Sequence, residues 1–328
     1  MSLRGEDNQT IRGRSCLKLF RIIRNVSMDE NRRGRITTLN AYIKIRTMKV
    51  YIKVALVALL IHLSGCSQSV DNKAYNDFTN HPESPAFNEE MILNVKGDSI
   101  AGYAFIANGE QLKETIIMLH GLPGNDNQFD IAQSLRRTGR NVIHFNYRGS
   151  WGSQGDFLYS HSLEDVDAII EILTTPENSK RLRIDPTQLV LMGRSYGGGV
   201  ALIQGSQNKR VKKIIAISSM NAGARFNPIQ NLSELSRWKN YLNRQVMLNV
   251  HPNTFLQEML DNKKKFNVVT YKNQLKHKKT LIIDATKSNQ SWVSVLENVD
   301  HKLIDSDHNF ISNRLELTNV IIDWLENN

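Results

Sequence analysis

Four short apolar runs place the strongest constraint on how this 328-residue chain folds. They read IIML, LVLM, IIAI and LII, begin at residues 116, 189, 214 and 281, and do not alternate apolar with polar positions. Strands of this kind are covered on both faces, as in a parallel sheet flanked by helices. Helical spacing of apolar residues occurs between the runs, for example at 162–173 after a Ser-x-x-Asp start. The pattern predicts an α/β fold.

The same pattern predicts eight strands, a terminal helix at 315–325 and a globular domain over residues 88–328. The strands are predicted at 91–95, 100–106, 115–119, 141–146, 188–192, 213–218, 280–283 and 302–304. Residues 224–277 show helical patterns without a convincing strand, so we interpret them as an inserted helical cap. This cap has nine basic and three acidic side chains, whereas the rest of residues 66–328 has 20 basic and 25 acidic.

The segment that starts at Met48 has the organisation of a secretory signal. Two lysines precede an apolar run at residues 54–61, which is too short to span a bilayer because spanning needs about 20 apolar residues. The segment ends in LSGC at residues 63–66, which resembles the lipobox of bacterial lipoproteins. The resemblance implies that residues 48–65 are a cleaved signal peptide and that Cys66 carries lipid, which anchors the protein in the bacterial cell envelope.

The surroundings of this signal need their own interpretation. Residues 1–47 contain eleven basic and four acidic side chains and no clear core pattern. We interpret them as an over-extended gene prediction, with Met48 as the true start; a basic arm that binds nucleic acid or anionic lipid is the alternative. Ser67 after the lipobox cysteine resembles the sorting rule that directs lipoproteins to the outer membrane, facing the periplasm. Residues 66–87, rich in Asn, Ser, Asp and Pro, are predicted to be a tether.

The motif Gly193-Arg194-Ser195-Tyr196-Gly197 directly follows the LVLM run and precedes a helical pattern. The order of strand, G-x-S-x-G and helix is typical of a nucleophile elbow, a tight turn that holds a serine hydroxyl above the sheet. Glycine is needed at both ends of the turn because a side chain there would collide with neighbouring backbone. Ser195 is therefore the candidate nucleophile, provided that a base lies beside it.

Two further motifs lie upstream of this elbow. Residues 119–124 read LHGLPG and residues 146–153 read NYRGSWGS. With the elbow, and in this order, they resemble the motifs of the α/β-hydrolase superfamily, although Asn146 stands where the family usually has Asp. The resemblance covers about residues 90–328. It implies the α/β-hydrolase fold, with a mostly parallel eight-stranded sheet flanked by helices, and an esterase-like or lipase-like serine hydrolase.

The resemblance also suggests roles for individual residues. The backbone N–H groups of Leu122 and Tyr196 would form the oxyanion hole. The stretch Asp307-His308-Asn309-Phe310 follows the last predicted strand and resembles the Asp-His-x-Phe ending common in the family. His308 is thus the candidate general base that takes the proton from Ser195 and returns it to the leaving group. His120 is expected to be a structural member of its loop.

The chain departs from the family pattern at the position where the family has the acid of its catalytic triad. The family typically reads Leu-Ile-His-Gly-x-x-Asp after its seventh strand, and here Asp284 falls on the His position and Ser288 on the Asp position. Three interpretations stay open. Asp284 orients His308, or Asn289 or Ser288 orients it through a neutral hydrogen bond as in Cys-His-Asn proteases, or the site is impaired.

The expected function is hydrolysis of a carboxylic ester or related acyl bond through an acyl-enzyme on Ser195; the fold also hosts thioesterases and peptidases. The alternative is a catalytically impaired lipoprotein that acts as a binding or envelope module. The expected partners are a small-molecule or lipid-like acyl substrate and a membrane, the latter through lipid on Cys66. Nucleic acid is not expected, because residues 66–328 are nearly neutral, with 29 basic and 28 acidic side chains. No metal or organic cofactor is implied, and a Cys-based metal site is not expected in the globular part because both cysteines precede it.

Overall fold

The computed structural model describes Met48, residues 81–227 and residues 232–328. Apart from Met48, the predicted signal peptide at 48–65 lies outside the described residues. The upstream segment 1–47, Cys66 and most of the predicted tether lie outside them too. Within the described part of the chain, no helix is both long enough and apolar enough to cross a membrane.

The described residues contain one sheet of eight strands. In chain order these are β1 (Phe87–Val95), β2 (Asp98–Ile106), β3 (Lys113–Leu119), β4 (Asn141–Phe145), β5 (Ile184–Arg194), β6 (Val211–Ile217), β7 (Lys279–Asp284) and β8 (Val299–Leu303). Across the sheet the order is β1-β2-β4-β3-β5-β6-β7-β8. β1 and β2, and β2 and β4, pair antiparallel, and all further neighbours pair parallel. The prediction of a mostly parallel eight-stranded sheet is confirmed.

Helices cover both faces of this sheet. They are α1 (Phe129–Arg137), α2 (Tyr159–Leu173), α3 (Pro176–Arg181), α4 (Tyr196–Gln207), α5 (Ala222–Phe226), α6 (Leu232–Asn243), α7 (Pro252–Asp261), α8 (Lys272–Leu275), α9 (Gln290–Val293) and α10 (Arg314–Asn327), with 3₁₀ turns at Val268–Tyr271 and Lys287–Asn289. The buried side chains of α1 and α10 share one hydrophobic cluster, and those of α2 and α4 share another.

The apolar runs supply both clusters at once. In β3, Ile117 and Leu119 join the cluster of α2 and α4, while Ile116 and Met118 join that of α1 and α10. Side chains alternate between the two faces of a strand, so a run without polar positions is what a sheet with two covered faces requires. All four side chains are at most 3% exposed.

The described part of the segment between β6 and β7 contains helices and turns but none of the strands of the sheet. It contains α5, α6, α7, a 3₁₀ turn and α8, and so occupies the region predicted as the cap, of which residues 228–231 lie outside the described residues. Backbone hydrogen bonds join it to the loop after β4. Asn249 N donates to Gly149 O at 2.7 Å, and Phe157 N donates to Asn249 O at 2.9 Å. The cap is therefore anchored to the loop after β4.

The prediction that a helix begins at Ser162 is wrong, because α2 begins at Tyr159. Ser162 lies inside the helix, where its hydroxyl donates to Leu158 O at 3.1 Å. The first N–H groups of α2 are bound instead by Glu258 of α7, which accepts from Tyr159 N at 2.9 Å and from Ser160 N at 3.3 Å. The carboxylate satisfies donors that have no partner inside the helix and lies at the positive end of its dipole.

Residues 81–87 lie within the predicted tether but contact the domain. Gly109 N donates to Ser84 O at 2.8 Å. The guanidinium of Arg183 donates to the carbonyl oxygens of Ser84 and Pro85, at 3.1 and 2.9 Å. Phe87 already belongs to β1. The tether can therefore reach no further than about residue 80, rather than residue 87.

We expect Glu258→Ala to lower the free energy of unfolding by about 1–2 kcal/mol, because the cap loses its contact and two N–H groups lose their acceptor. For a domain of this size the apparent Tm should fall by about 2–8 °C. Asp261→Ala is the matched control, since Asp261 lies on the same helix and its carboxylate accepts, within the described residues, from Gln257 of that helix. Thermal unfolding followed by circular dichroism checks the prediction, and equal Tm values for the two variants would contradict it.

Candidate active site

Ser195 lies in a tight turn between β5 and α4. Its backbone angles are φ 53° and ψ −113°, in the region that a residue with a side chain rarely adopts. The flanking glycines allow the turn. A Cβ on Gly193 would lie 2.1 Å from Gly197 O, and a Cβ on Gly197 would lie 2.3 Å from Leu119 O. The elbow predicted from the sequence is present, and any side chain at either glycine would collide with backbone.

The loop after β3 runs beside this turn. A Cβ on Gly121 would lie 3.6 Å from the Cβ of Ser195. The neighbouring His120 is buried, with Nδ1 2.7 Å from Gly121 O and Nε2 3.3 Å from the hydroxyl of Ser150. Burial lowers the pKa of His120 to about 4, so it is neutral at pH 7. His120 therefore holds the loop in place, as predicted for a structural histidine.

The two predicted oxyanion-hole residues flank Ser195. Leu122 lines a cavity together with Ser195, and Tyr196 is the first residue of α4. Within the described part of the chain, the backbone N–H groups of Leu122 and Tyr196 donate no hydrogen bond to another residue. Unpaired N–H groups beside a nucleophile are available to a developing oxyanion.

Ser195, His308 and Asp284 line one cavity of about 620 Å³. His308 lies in the loop between β8 and α10, and its side chain makes no hydrogen bond to any described residue, Ser195 included. Hydrogen bonds between catalytic groups are often long before a substrate binds. Burial and the nearby Arg194 guanidinium lower the pKa of His308, while Asp307 and Asp284 partly oppose that shift. The neutral imidazole, which is the form that accepts a proton, is therefore favoured at pH 7.

Asp284 is the last residue of β7 and is only 2% exposed. Its carboxylate accepts from Asn289 Nδ2 at 2.8 Å and lies 3.0 Å from His301 Nε2, so both of its hydrogen bonds go to residues other than His308. Burial raises the pKa of Asp284, and the hydrogen bonds from Asn289 and His301 oppose this. Asp284 therefore affects His308 through its charge, which raises the pKa of His308, and not through a hydrogen bond.

The two predicted neutral alternatives also line the cavity but do not bond to His308. Asn289 donates to Asp284 and to Ser219 O, and accepts from Trp292 Nε1 at 3.1 Å. Ser288 bonds to the hydroxyl of Thr286 at 3.0 Å. Asn289 therefore positions Asp284, and Ser288 belongs to the turn around Thr286.

A second cavity of about 340 Å³ opens from the same serine toward the cap. It shares Ser195, Met220, Arg225 and Trp238 with the first cavity. The residues that line it alone are Leu122, Glu234, Arg237 and Tyr241. Ser195 thus lies where the two cavities meet. Among the described residues, no group of three or more His, Cys, Asp or Glu side chains has an arrangement that could hold a metal ion.

Residues 114–292, more than half of the chain, match the family model described as the alpha/beta hydrolase fold. The chain belongs to the α/β-hydrolase family. This membership supports a hydrolase, and the elbow at Ser195 is the hallmark of that family in this structure.

Solved structures with the same fold include several hydrolases. The ferulic-acid-bound Est1E of Butyrivibrio proteoclasticus is 13% identical, with a TM-score of 0.58 over 72% of this chain and 98% of that one. The esterase Pf2001 of Pyrococcus furiosus is 18% identical, with a TM-score of 0.51 over 77% of this chain and 97% of that one. The enol-lactonase of Burkholderia xenovorans LB400 is 12% identical, with a TM-score of 0.50 over 72% and 100%. At these identities the likeness extends to the fold alone.

Two residues at this α/β-hydrolase site were missed by the sequence analysis. His301 lies on β8, two positions before the Leu303 that pairs with Asp284, so it faces the same side of the sheet. The predicted β8 began at residue 302 and left His301 out. Arg194 occupies the variable position of the elbow, is 5% exposed and donates to Asn309, the neighbour of His308. A buried charge at a variable position leaves no signal in the motif itself.

Proposed function

We propose that this α/β-hydrolase is a serine hydrolase that cleaves carboxylic esters or related acyl bonds through an acyl-enzyme on Ser195. The observation that carries the proposal is the elbow, in which Gly193 and Gly197 allow the positive φ of Ser195. Strain of this kind persists only where the surrounding structure maintains it, and it clusters at active sites. The unpaired N–H groups of Leu122 and Tyr196 support the same role.

The proposed reaction begins when neutral His308 takes the proton from the hydroxyl of Ser195, whose oxygen attacks the acyl carbon. The carbonyl oxygen becomes negative and accepts from Leu122 N and Tyr196 N. The proton on His308 then passes to the leaving group, which departs and leaves the acyl-enzyme. A water molecule repeats these steps and releases the acid and free Ser195.

The field of Asp284 opposes the pKa-lowering effects of burial and Arg194 on His308. In the proposed reaction, Asp284 therefore stabilises the imidazolium that forms while a proton is held on His308. The favoured function depends on His308 being neutral at rest and charged in the transition state. Activity should therefore fall as pH drops through the pKa of His308, which lies below the ordinary value of a histidine.

A second function is favoured by one observation, namely that His308 bonds neither to Ser195 nor to Asp284. In that case the protein is a catalytically impaired hydrolase-fold module that binds a ligand in the envelope. The two functions differ in whether Ser195 is activated, and a covalent probe distinguishes them.

The proposed location of the protein is the bacterial outer membrane, facing the periplasm, with lipid on Cys66 as the anchor. The lipobox-like LSGC at residues 63–66 and Ser67 support this proposal. Two or more acyl chains hold a protein stably at a membrane, whereas one holds it only marginally.

We expect Ser195→Ala to lower kcat for para-nitrophenyl butyrate by about 10⁴-fold or more and to abolish labelling by a fluorophosphonate, because the nucleophile is gone. His308→Ala should lose nearly as much, and the double variant little more, since the two residues act as a unit. Ser291→Ala, in the lining of the same cavity, is the matched control. Equal labelling of Ser195→Ala would contradict the assignment, and an unlabelled wild-type protein would favour the binding module.

We expect Asp284→Asn to lower kcat by about 10³-fold or more, as measured for other orienting carboxylates, with a smaller change in KM. The acid limb of the pH profile should also move to lower pH, because the loss of a negative charge lowers the pKa of His308. His301→Gln, which keeps a donor toward the same carboxylate, is the matched control. Full activity of Asp284→Asn together with inactive Asn289→Ala or Ser288→Ala would show a neutral orienting residue instead.

We expect Cys66 to form the mature amino terminus and to carry acyl chains. Mass spectrometry of the protein from the membrane fraction measures both. The Cys66→Ser variant, which cannot be acylated on sulfur, should leave the membrane fraction. An unmodified Cys66 within a longer peptide, or a protein that still begins at Met1, would overturn the lipoprotein proposal.

A further inference from the structure

We propose that Arg225 and Arg237 select acyl substrates that carry a carboxylate in addition to the bond that is cleaved. This inference rests on the proposed function of Ser195 and gives its substrate class. Both arginines line the cavity of about 340 Å³ that opens from Ser195, and Arg225 lines the larger cavity as well. The two cations therefore border the space that a substrate must occupy.

Neither guanidinium has a partner among the described residues. The side chains of Arg225 and Arg237 form no hydrogen bond and no ion pair there, and the hydrogen bond of Arg225 is that of its backbone N–H to Asn221 O, at 2.8 Å. Arg194 and Arg314 differ in this respect, because both pair with Asp126. A planar guanidinium with free N–H groups matches the two oxygens of a carboxylate and can bind them in a bidentate manner.

The charge of the cavity fits one negative group. Glu234 also lines it, so its ionisable side chains carry two positive charges and one negative. This net charge favours a monoanion such as a carboxylate over a dianionic phosphate. The field of the cap acts in the same direction, because residues 224–277 contain nine basic and three acidic side chains. A net positive potential over a cleft raises the local concentration of negatively charged substrate.

The rest of the wall is apolar or aromatic and fits a carbon chain or ring. Trp238 packs against Phe226 with ring centroids 5.0 Å apart and against Tyr241 at 5.9 Å. The hydroxyl of Tyr241 donates to Leu122 O at 3.2 Å, which joins this aromatic wall to the loop beside Ser195. The substrate thus has an apolar body between its acyl carbon and its carboxylate.

Exposed arginines on a helix are usually solvated and bind no ligand. The test must therefore distinguish arginines that bind a substrate carboxylate from arginines that only add positive charge to the surface. Lys239 on α6 and Arg244 just after it provide matched controls. Both are exposed cations of the cap, and neither lines the two cavities around Ser195. Removing them changes the net charge of the cap by the same amount as removing Arg225 and Arg237.

The experiment compares two esters of equal acyl length, mono-para-nitrophenyl adipate, which ends in a carboxylate, and para-nitrophenyl hexanoate, which ends in a methyl group. We expect wild-type protein to prefer the adipate in kcat/KM after correction for spontaneous hydrolysis. Arg225→Gln combined with Arg237→Gln should lower the ratio of adipate to hexanoate kcat/KM by about tenfold or more, the range for hydrogen bonds to charged groups. Lys239→Gln combined with Arg244→Gln should change the ratio by less than about threefold, because surface charges are screened by salt.

A binding measurement keeps this test separate from the proposed function. Calorimetric titration of Ser195→Ala with monomethyl adipate needs no turnover. We expect binding that weakens with salt and is lost when Arg225 and Arg237 are also replaced by Gln. Binding without any ester hydrolysis by the wild type would support the carboxylate site and overturn the hydrolase. An unchanged adipate preference in the double arginine variant, equal loss on both esters, or titration heats unaffected by the substitutions would overturn the carboxylate site.

Discussion

The close approach of backbone around Ser195 is the constraint on which the rest of the structure depends. A Cβ on Gly197 would lie 2.3 Å from Leu119 O, so α4 begins in direct contact with the end of β3. Contacts this tight require glycine, and they set how far the sheet and the helix can separate. They also bring the loop after β3 alongside the serine. The position of Ser195, the N–H groups of Leu122 and Tyr196 and the mouth of the cavity are therefore consequences of one packing arrangement.

The cap is joined to this arrangement by polar contacts distributed along its length. Asn221 accepts from Val268 N at 3.1 Å and so ties the start of the cap to its far end. Glu258 binds the start of α2, and Asn249 bonds to the loop after β4. Each contact satisfies a backbone group that would otherwise lack a partner. These contacts hold the cap in place, and with it Arg225 and Trp238 in the lining of the cavity at Ser195.

The parts of the molecule that the sequence predicted well are those that depend on local patterns. The strands β3, β5, β6 and β7 carry two-sided apolar runs, and the elbow carries its own glycines. The predicted start of β8 was too late in the chain because its five residues VDHKL contain no apolar run, and none of them is buried. His301 was therefore not recognised as a residue of that strand. The start of α2 was also placed wrongly, because its capping carboxylate, Glu258, lies far along the chain. Long-range partners of this kind leave no periodic signal.

The same reasoning explains why the acid could not be assigned from the sequence alone. The sequence places Asp284 directly after an apolar run, but its role depends on where its two carboxylate oxygens point. Asn289 donates to one of them, and His301 lies at hydrogen-bond distance from the other. The charge remains next to the cavity, and a charge acts over several ångströms when little water intervenes. His308 therefore lies between two opposing fields, since Arg194 lowers its pKa and Asp284 raises it. In the proposed reaction this balance keeps the imidazole of His308 neutral before it accepts a proton and stabilises the imidazolium afterwards.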